Sequence, residues 1–149
     1  MNKKFTALTM GLLATVICVP CAAQFSKPED AVKYRKGAFG VMAHHFGRLG
    51  AMLNDKMPYD AKLAASDAQT VALLAPLPFH GFGAGTGSPQ AKPEIWSDPA
   101  TFKGAGDKMV VEVQRLASAA QAGDLVAMKA AFGASAKTCK ACHDQFKKD

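Results

Sequence analysis

After its first two dozen residues the chain has no uninterrupted apolar run approaching ~20 residues, so no later segment is long enough to cross a bilayer as a helix. Runs of β-branched residues are scarce, which argues against a sheet-built domain. There are only 4 cysteines, and Cys18 and Cys21 lie within an export-type leader, which leaves one pair for the rest of the chain. A disulfide framework and a four-cysteine zinc site are thereby excluded. Basic residues number 18 against 12 acids, but they are scattered among those acids. The densest group, Lys147-Lys148, is the usual cationic end of a helix, so no nucleic-acid partner is implied.

What is present at the start is a secretory signal. Lys3 and Lys4 precede an apolar stretch from Phe5 to Val19, and Cys21-Ala22-Ala23 places small residues before a cleavage point. Residues 1–23 are expected to be removed, leaving a domain at 24–149 with 16 basic residues against 12 acids. Pro20 before Cys21 argues against lipid attachment, where a small residue would be expected. Residues 24–149 suffice for one domain with a single core and no membrane insertion.

Ala, Leu, Met, Lys and Gln fill the long segments, whereas Gly and Pro concentrate between residues 76 and 99. That pattern predicts an all-α protein with one long loop. The first helix is expected from Pro28 to about Leu53, opened by a capping box of Ser26 and Glu29. A second follows Pro58 and reaches about Leu74. Asp98 as N-cap and Pro99 at the first helical position open a third, which persists to about Ala122. The fourth starts at Asp124, after Gly123. Val32, Arg35, Phe39, Met42, Phe46, Leu49 and Leu53 recur at intervals of three and four, as do Phe102, Met109, Val113, Leu116 and Ala120. Leu125, Met128, Phe132, Cys139, Cys142 and Phe146 continue the pattern in the last segment. Such helices pack as an antiparallel up-and-down four-helix bundle.

The chemistry is concentrated in Cys139-Lys140-Ala141-Cys142-His143. Two thiols three apart on a helix share one face with the adjoining imidazole, the arrangement that holds haem c by two thioether bonds and an axial nitrogen. A bare C-x-x-C would read as a redox dithiol or half a zinc site. The following His, the missing second pair and the export signal favour covalent haem in the bundle core, with His143 as the metal ligand.

Arg35 occupies a seam position where an apolar residue is due. A buried guanidinium needs an anion, which a haem propionate would supply; the alternative is an arginine whose stem runs along the core while its head reaches water. The stripe Arg35, Phe39, Met42 holds no base, which argues against peroxidase chemistry. His44 and His45 lie off that stripe and suit surface or helix-packing roles. Trp96 either lines the haem or closes the core. Gly83-Ala84-Gly85-Thr86-Gly87 lacks the preceding strand and the Gly-Lys-Ser/Thr ending of a phosphate loop.

The chain resembles the cytochrome c′ family over essentially all of residues 24–149. The likeness rests on Gln24-Phe25, Pro28-Glu29-Asp30-Ala31-Val32-Lys33-Tyr34-Arg35, His45-Phe46-Gly47-Arg48, Pro93-Glu94-Ile95-Trp96-Ser97-Asp98, Ala130-Ala131-Phe132-Gly133 and Cys139-Lys140-Ala141-Cys142-His143-Asp144. It implies a periplasmic, homodimeric haem protein with five-coordinate iron that binds nitric oxide and carbon monoxide and carries electrons. It further implies that Cys139 and Cys142 are the thioether sites, His143 the proximal ligand, Arg35 a haem-edge arginine and Phe39 the apolar cover of the vacant iron face, where many relatives have leucine. Lys36 and Gln90 fall at haem-edge positions where close relatives often have Gln and Asp. Lys147 stands where an arginine is frequent near the proximal face. An apolar cover favours NO, with weak CO binding, over O₂, which profits from a distal donor. The rival expectation is a six-coordinate electron carrier with Met42 as sixth ligand, set against the ordinary use of Met as core filler.

Overall fold

The computed structural model describes residues 24–148; the leader expected at residues 1–23 lies outside them. Within that span the elements are α1 Pro28–Leu53, α2 Ala61–Leu74, a 3-10 helix Leu77–Gly81, α3 Glu94–Ser97, α4 Pro99–Gln121 and α5 Leu125–Phe146. The four long helices α1, α2, α4 and α5 build the expected all-α bundle. α3 is a single turn that leads into α4.

Capping explains most of the boundaries. Asp98 accepts from Thr101 N at 3.2 Å to open α4, with Pro99 at the first helical position. Asp124 accepts from Ala127 N at 2.9 Å to open α5. Between them Gly123 adopts φ 69°, a left-handed conformation that suits glycine and allows the chain to reverse in three residues. Two starts differ from expectation. α2 begins at Ala61 rather than directly after Pro58, because Asp60 supplies the cap by accepting from Leu63 N at 3.0 Å. The capping box at Ser26 and Glu29 does not form: Lys27 is the N-cap and makes no side-chain bond, and Glu29 and Asp30 instead place negative charge in the first turn of α1.

The main core joins α1, α2, α4 and α5 through Leu49, Met52, Val71, Val113, Leu116 and Met128. Each of these is almost wholly withdrawn from water, worth about 1.5–3 kcal/mol per large side chain. Phe46 of α1 stacks on Phe132 of α5 at 4.3 Å and 15°, over Gly50, where a Cβ would lie 2.9 Å from the Phe132 ring. The predicted stripe of α4 is buried throughout. Of that on α5, Met128 and Phe146 are buried, Phe132, Cys139 and Cys142 are half-buried, and Leu125 is 39% exposed.

The segment from 76 to 99 is more ordered than a plain loop. It carries the 3-10 helix and α3, and its Phe79, Phe82, Ile95 and Trp96 form a second cluster with Phe102 of α4 and Cys142 and Phe146 of α5. An isolated antiparallel bridge between Ala91 and Lys147 ties this segment to the end of α5. Lys92 N donates to Phe146 O at 3.0 Å, and Lys148 N donates to Gln90 O at 2.9 Å.

Candidate functional site

The last three turns of α5 carry the reactive groups. Cys139 and Cys142 are free thiols, each partly buried, and burial raises both above the ordinary thiol value; Cys139 adds to the rise at Cys142. Cys139 packs on the main core and Cys142 on the aromatic cluster, so the two sulfurs face apolar surroundings that a hydrophobic ring would share. His143 is partly desolvated, and this, followed by the positive charge of Lys147, lowers its pKa; Asp144 opposes the shift. The lowering favours the neutral imidazole, the form with a lone pair available to a metal.

Across the bundle, Arg35 of α1 is 3% exposed. Its Nη1 donates to Gly81 O at 2.6 Å and to Thr86 Oγ1 at 3.1 Å, and Nη2 donates to Ser88 Oγ at 3.2 Å. The guanidinium carbon sits 4.2 Å from the centroid of Phe82, a cation–π contact. All these partners are neutral. Burial lowers the Arg35 pKa, yet the group stays charged. The alternative weighed for Arg35, a head reaching water, does not hold: the loop at 81–88 folds over it. Among the described residues no carboxylate pairs with it, which leaves a buried cation suited to an external anion.

That loop is itself clasped. Trp96 Nε1 donates to Phe82 O at 3.1 Å and Gly83 O at 3.0 Å, and Thr86 Oγ1 donates to Gly83 O at 2.7 Å. Trp96 therefore closes the loop around Arg35 as well as packing on the aromatic cluster.

Phe39, one turn along α1 from Arg35, is half-buried and meets Phe79 edge-on at 6.2 Å and 83°, and Phe82 at 6.5 Å and 64°. Met42 is 8% exposed and belongs to the main core. Lys36 is exposed on α1. Gln90 is exposed too, and its backbone carbonyl, rather than its side chain, engages the end of α5. Lys147 shares a polar cleft of ≈ 250 Å³ with Lys92, His143, Asp144 and Lys148. A larger open hollow of ≈ 510 Å³ is walled by Phe79, Phe82, Ile95, Trp96 and Phe102, beside the cluster on which Cys142 packs.

The structure brings together more than the sequence pattern named. Phe79, Phe82, Thr86 and Ser88 were hidden in a segment read as a loop. The aromatic pair spaced by three within a Gly/Pro-rich stretch was the available signal. His45, set aside as a ligand, has a helix-packing role: its Nδ1 lies 2.7 Å from Asp67 Oδ1, and since an ionised carboxylate only accepts, Nδ1 carries the proton. Arg48 completes this contact with Nε at 2.7 Å from Oδ2 and Nη2 at 2.5 Å from Oδ1.

A four-helix bundle with paired thiols and an adjoining imidazole on its last helix, and an uncompensated arginine opposite, defines a helical haem c protein. The comparisons agree. The family model described as Cytochrome C' matches residues 30–147, and the chain belongs to the cytochrome c′ family. A cytochrome c' of Rubrivivax gelatinosus is 47% identical over 127 residues, spanning 83% of this chain and 98% of the relative. One from Alcaligenes xylosoxydans xylosoxydans is 46% identical over 125 residues, covering 84% and 98%. The crystal structure of the Rubrivivax gelatinosus protein superimposes with TM-score 0.81, covering 84% of this chain and 100% of that one. A nitric oxide complex of a cytochrome c prime variant from Alcaligenes xylosoxidans gives TM-score 0.80 at 44% identity, with coverage of 85% and 99%. Membership brings covalent haem c as the cofactor. No helix among the described residues is long and apolar enough to cross a membrane.

Proposed function

We propose that this chain is a periplasmic gas-binding haem c protein, exported by residues 1–23, active as a homodimer through its domain at 24–149, and able to pass electrons to a redox partner. Its reading as a five-coordinate protein rests on one observation: Phe39 stands edge-on to Phe79 and Phe82 in an apolar wall, while Met42 is packed into the bundle core.

Haem c supplies an iron that binds diatomic gases and changes oxidation state. Cys139 and Cys142 would hold the cofactor by thioether bonds, and His143 would offer a nitrogen ligand to its iron. Arg35, buried and lacking a carboxylate, supplies the cation for a propionate; its planar fork suits that anion better than a lysine would. Exposed Lys36 and Gln90 stand at the haem edge, where their side chains contribute long-range charge and polarity rather than close contacts. Lys147 supplies a single-point donor beside His143.

Phe39 would exclude water and anions from the ligand site, because neither gains a hydrogen bond against its ring. Nitric oxide needs none and binds the ferrous protein. Carbon monoxide binds weakly because Phe39 must yield, and O₂ lacks a stabilising donor. The nitric oxide complex of the Alcaligenes relative supports gas binding by this bundle. The rival, Met42 as sixth ligand, requires a well-buried thioether to leave the core, at a cost of about 2–5 kcal/mol for a vacated Met site.

The test is the visible spectrum of the dithionite-reduced protein with and without NO and CO. Broad high-spin bands that change on NO addition are expected. Sharp low-spin bands unmoved by either gas would sink the reading. Phe39→Ala should raise CO affinity by about tenfold or more; an unchanged affinity would show that Phe39 does not guard the iron.

A further inference from the structure

Phe39 can screen a ligand site only as far as something behind it resists its retreat. That resistance comes from outside α1. Phe79, on the 3-10 helix Leu77–Gly81, presents its ring at right angles to Phe39, 6.2 Å between centroids. Phe79 also lies against the backbone of α4 at Gly106. A Cβ placed on Gly106 would stand 2.7 Å from both Cε1 and Cζ of Phe79, well inside van der Waals contact. Gly106 is buried, so the ring occupies the space a side chain would otherwise fill. Phe102, one helical turn earlier on α4, closes another flank at 5.6 Å.

Phe79 is also the one side chain among the described residues that packs on both clusters, the main core with Cys139 and the aromatic cluster with Cys142. It joins the two clusters and meets Phe39 edge-on. Rings in contact pass displacement to one another, and Phe79 also borders the open hollow beside the aromatic cluster.

We propose that Phe79, seated on Gly106, is a second specificity-determining residue for gas binding, acting through Phe39 by limiting how far that ring can swing. The proposal deepens the reading of Phe39 as the screen and rests on it. Phe79 is a positioning residue with no role in holding the ligand itself. The seat works in two directions. A smaller residue at 79 gives Phe39 room to move. A methyl at 106 pushes Phe79 off α4, and a shift toward Phe39, its edge-on neighbour, tightens the screen.

The experiment measures CO affinity and association rate of the ferrous holoprotein for wild type, Phe39→Ala, Phe79→Leu, Gly106→Ala and the double variant Phe39→Ala/Phe79→Leu. Crystal structures of Phe79→Leu and Gly106→Ala supply a readout independent of binding. Phe79→Leu is expected to raise CO affinity about tenfold, mostly through faster association, and Gly106→Ala to lower it by a similar factor. With Phe39 removed, Phe79→Leu should add almost nothing. In the Gly106→Ala structure the Phe79 ring should shift toward Phe39; in the Phe79→Leu structure Phe39 should move into the vacated space.

The outcomes separate cleanly. If Phe39→Ala raises CO affinity while Phe79→Leu leaves it unchanged, Phe79 is not a determinant and the proposal fails alone. The same holds if the two substitutions add independently, or if Gly106→Ala and Phe79→Leu change affinity in the same direction, since general loosening of the fold would do that. If Phe39→Ala itself changes nothing, the reading of Phe39 falls and this proposal with it. Phe79→Tyr, which keeps the ring in place, should leave affinity within about twofold of wild type; a tenfold change there would also overturn the proposal.

Discussion

Two arginines on α1, Arg35 and Arg48, are handled in opposite ways. Arg48 reaches α2, where the fully buried Asp67 accepts its fork through both carboxylate oxygens and accepts a third bond from His45. Arg35 is the more deeply buried, yet its partners are a carbonyl, two hydroxyls and an aromatic face. The chain neutralises Asp67 with its own cations and leaves Arg35 for something it does not encode. A buried charge that is fully paired belongs to the architecture, and one that lacks a counter-ion is a candidate for contact with a prosthetic group, the role proposed for Arg35.

The comparison is broken most completely by removing the attachment points. Cys139→Ala together with Cys142→Ala should yield protein whose haem is lost on denaturing electrophoresis. In that variant hydrogen exchange should quicken in Gly81–Ser88, around Arg35, while α1 and α2 near Asp67 stay protected. A retained haem stain would overturn covalent attachment. Equal loosening at both arginines would show that Arg35 does not depend on the cofactor.

A smaller effect is expected at the self-sufficient end. Asp67→Ala should cost about 2 kcal/mol, or roughly 5–10 °C in melting temperature, with little change in gas binding. Burial alone would raise the Asp67 pKa, but the hydrogen bonds from Arg48 and His45, with their charges, outweigh it and hold the carboxyl below its ordinary value. Its contribution is therefore complete above the usual carboxylate range near ~4 and drains away as pH falls through the lowered folded value. Acid unfolding of the variant should be flatter than that of wild type over this interval. Identical acid profiles would remove Asp67 from the account.

The smallest effect sharpens the contrast at Arg35. Arg35→Gln keeps a polar group beneath the loop but removes the charge, and the haem reduction potential should fall by roughly a few tens of millivolts, since a nearby cation favours the reduced state. Arg48→Gln should leave the potential unmoved. Equal shifts from both would mean that neither arginine is specially placed.

Much of this was readable in the residues, for reasons that differ by element. α1 runs over the expected Pro28–Leu53, and α4 and α5 open at the expected aspartate caps, because proline at the first turn and Asp before it are local signals that tertiary packing seldom overrides. The haem motif is equally local, with all its donors within five residues. Arg35 stood out as a polar break in an apolar stripe, although its hydroxyl partners did not, since Thr86 and Ser88 are far along the chain and lie in a glycine-rich stretch. Asp67 escaped notice for the same reason. It interrupts the buried face made by Ala64, Ala68 and Val71, but its meaning depends on His45 and Arg48 lying opposite on another helix. Phe79 and Phe82 were missed because a 3-10 turn among prolines and glycines carries no amphipathic period to reveal it.

The bridge between Ala91 and Lys147 bears on time rather than on energy. The final turns of a C-terminal helix ordinarily fray and reform within nanoseconds to microseconds. Here the backbone just past Phe146 is stitched to the 90–92 segment by Lys92 N to Phe146 O and Lys148 N to Gln90 O, and Lys92 Nζ also donates to Asp144 O at 2.9 Å. His143 lies inside that stitch. A side chain on a helix end that opened often would be held only intermittently; latching the backbone beyond His143 makes that opening rare, so the placement of its imidazole is set by the whole fold.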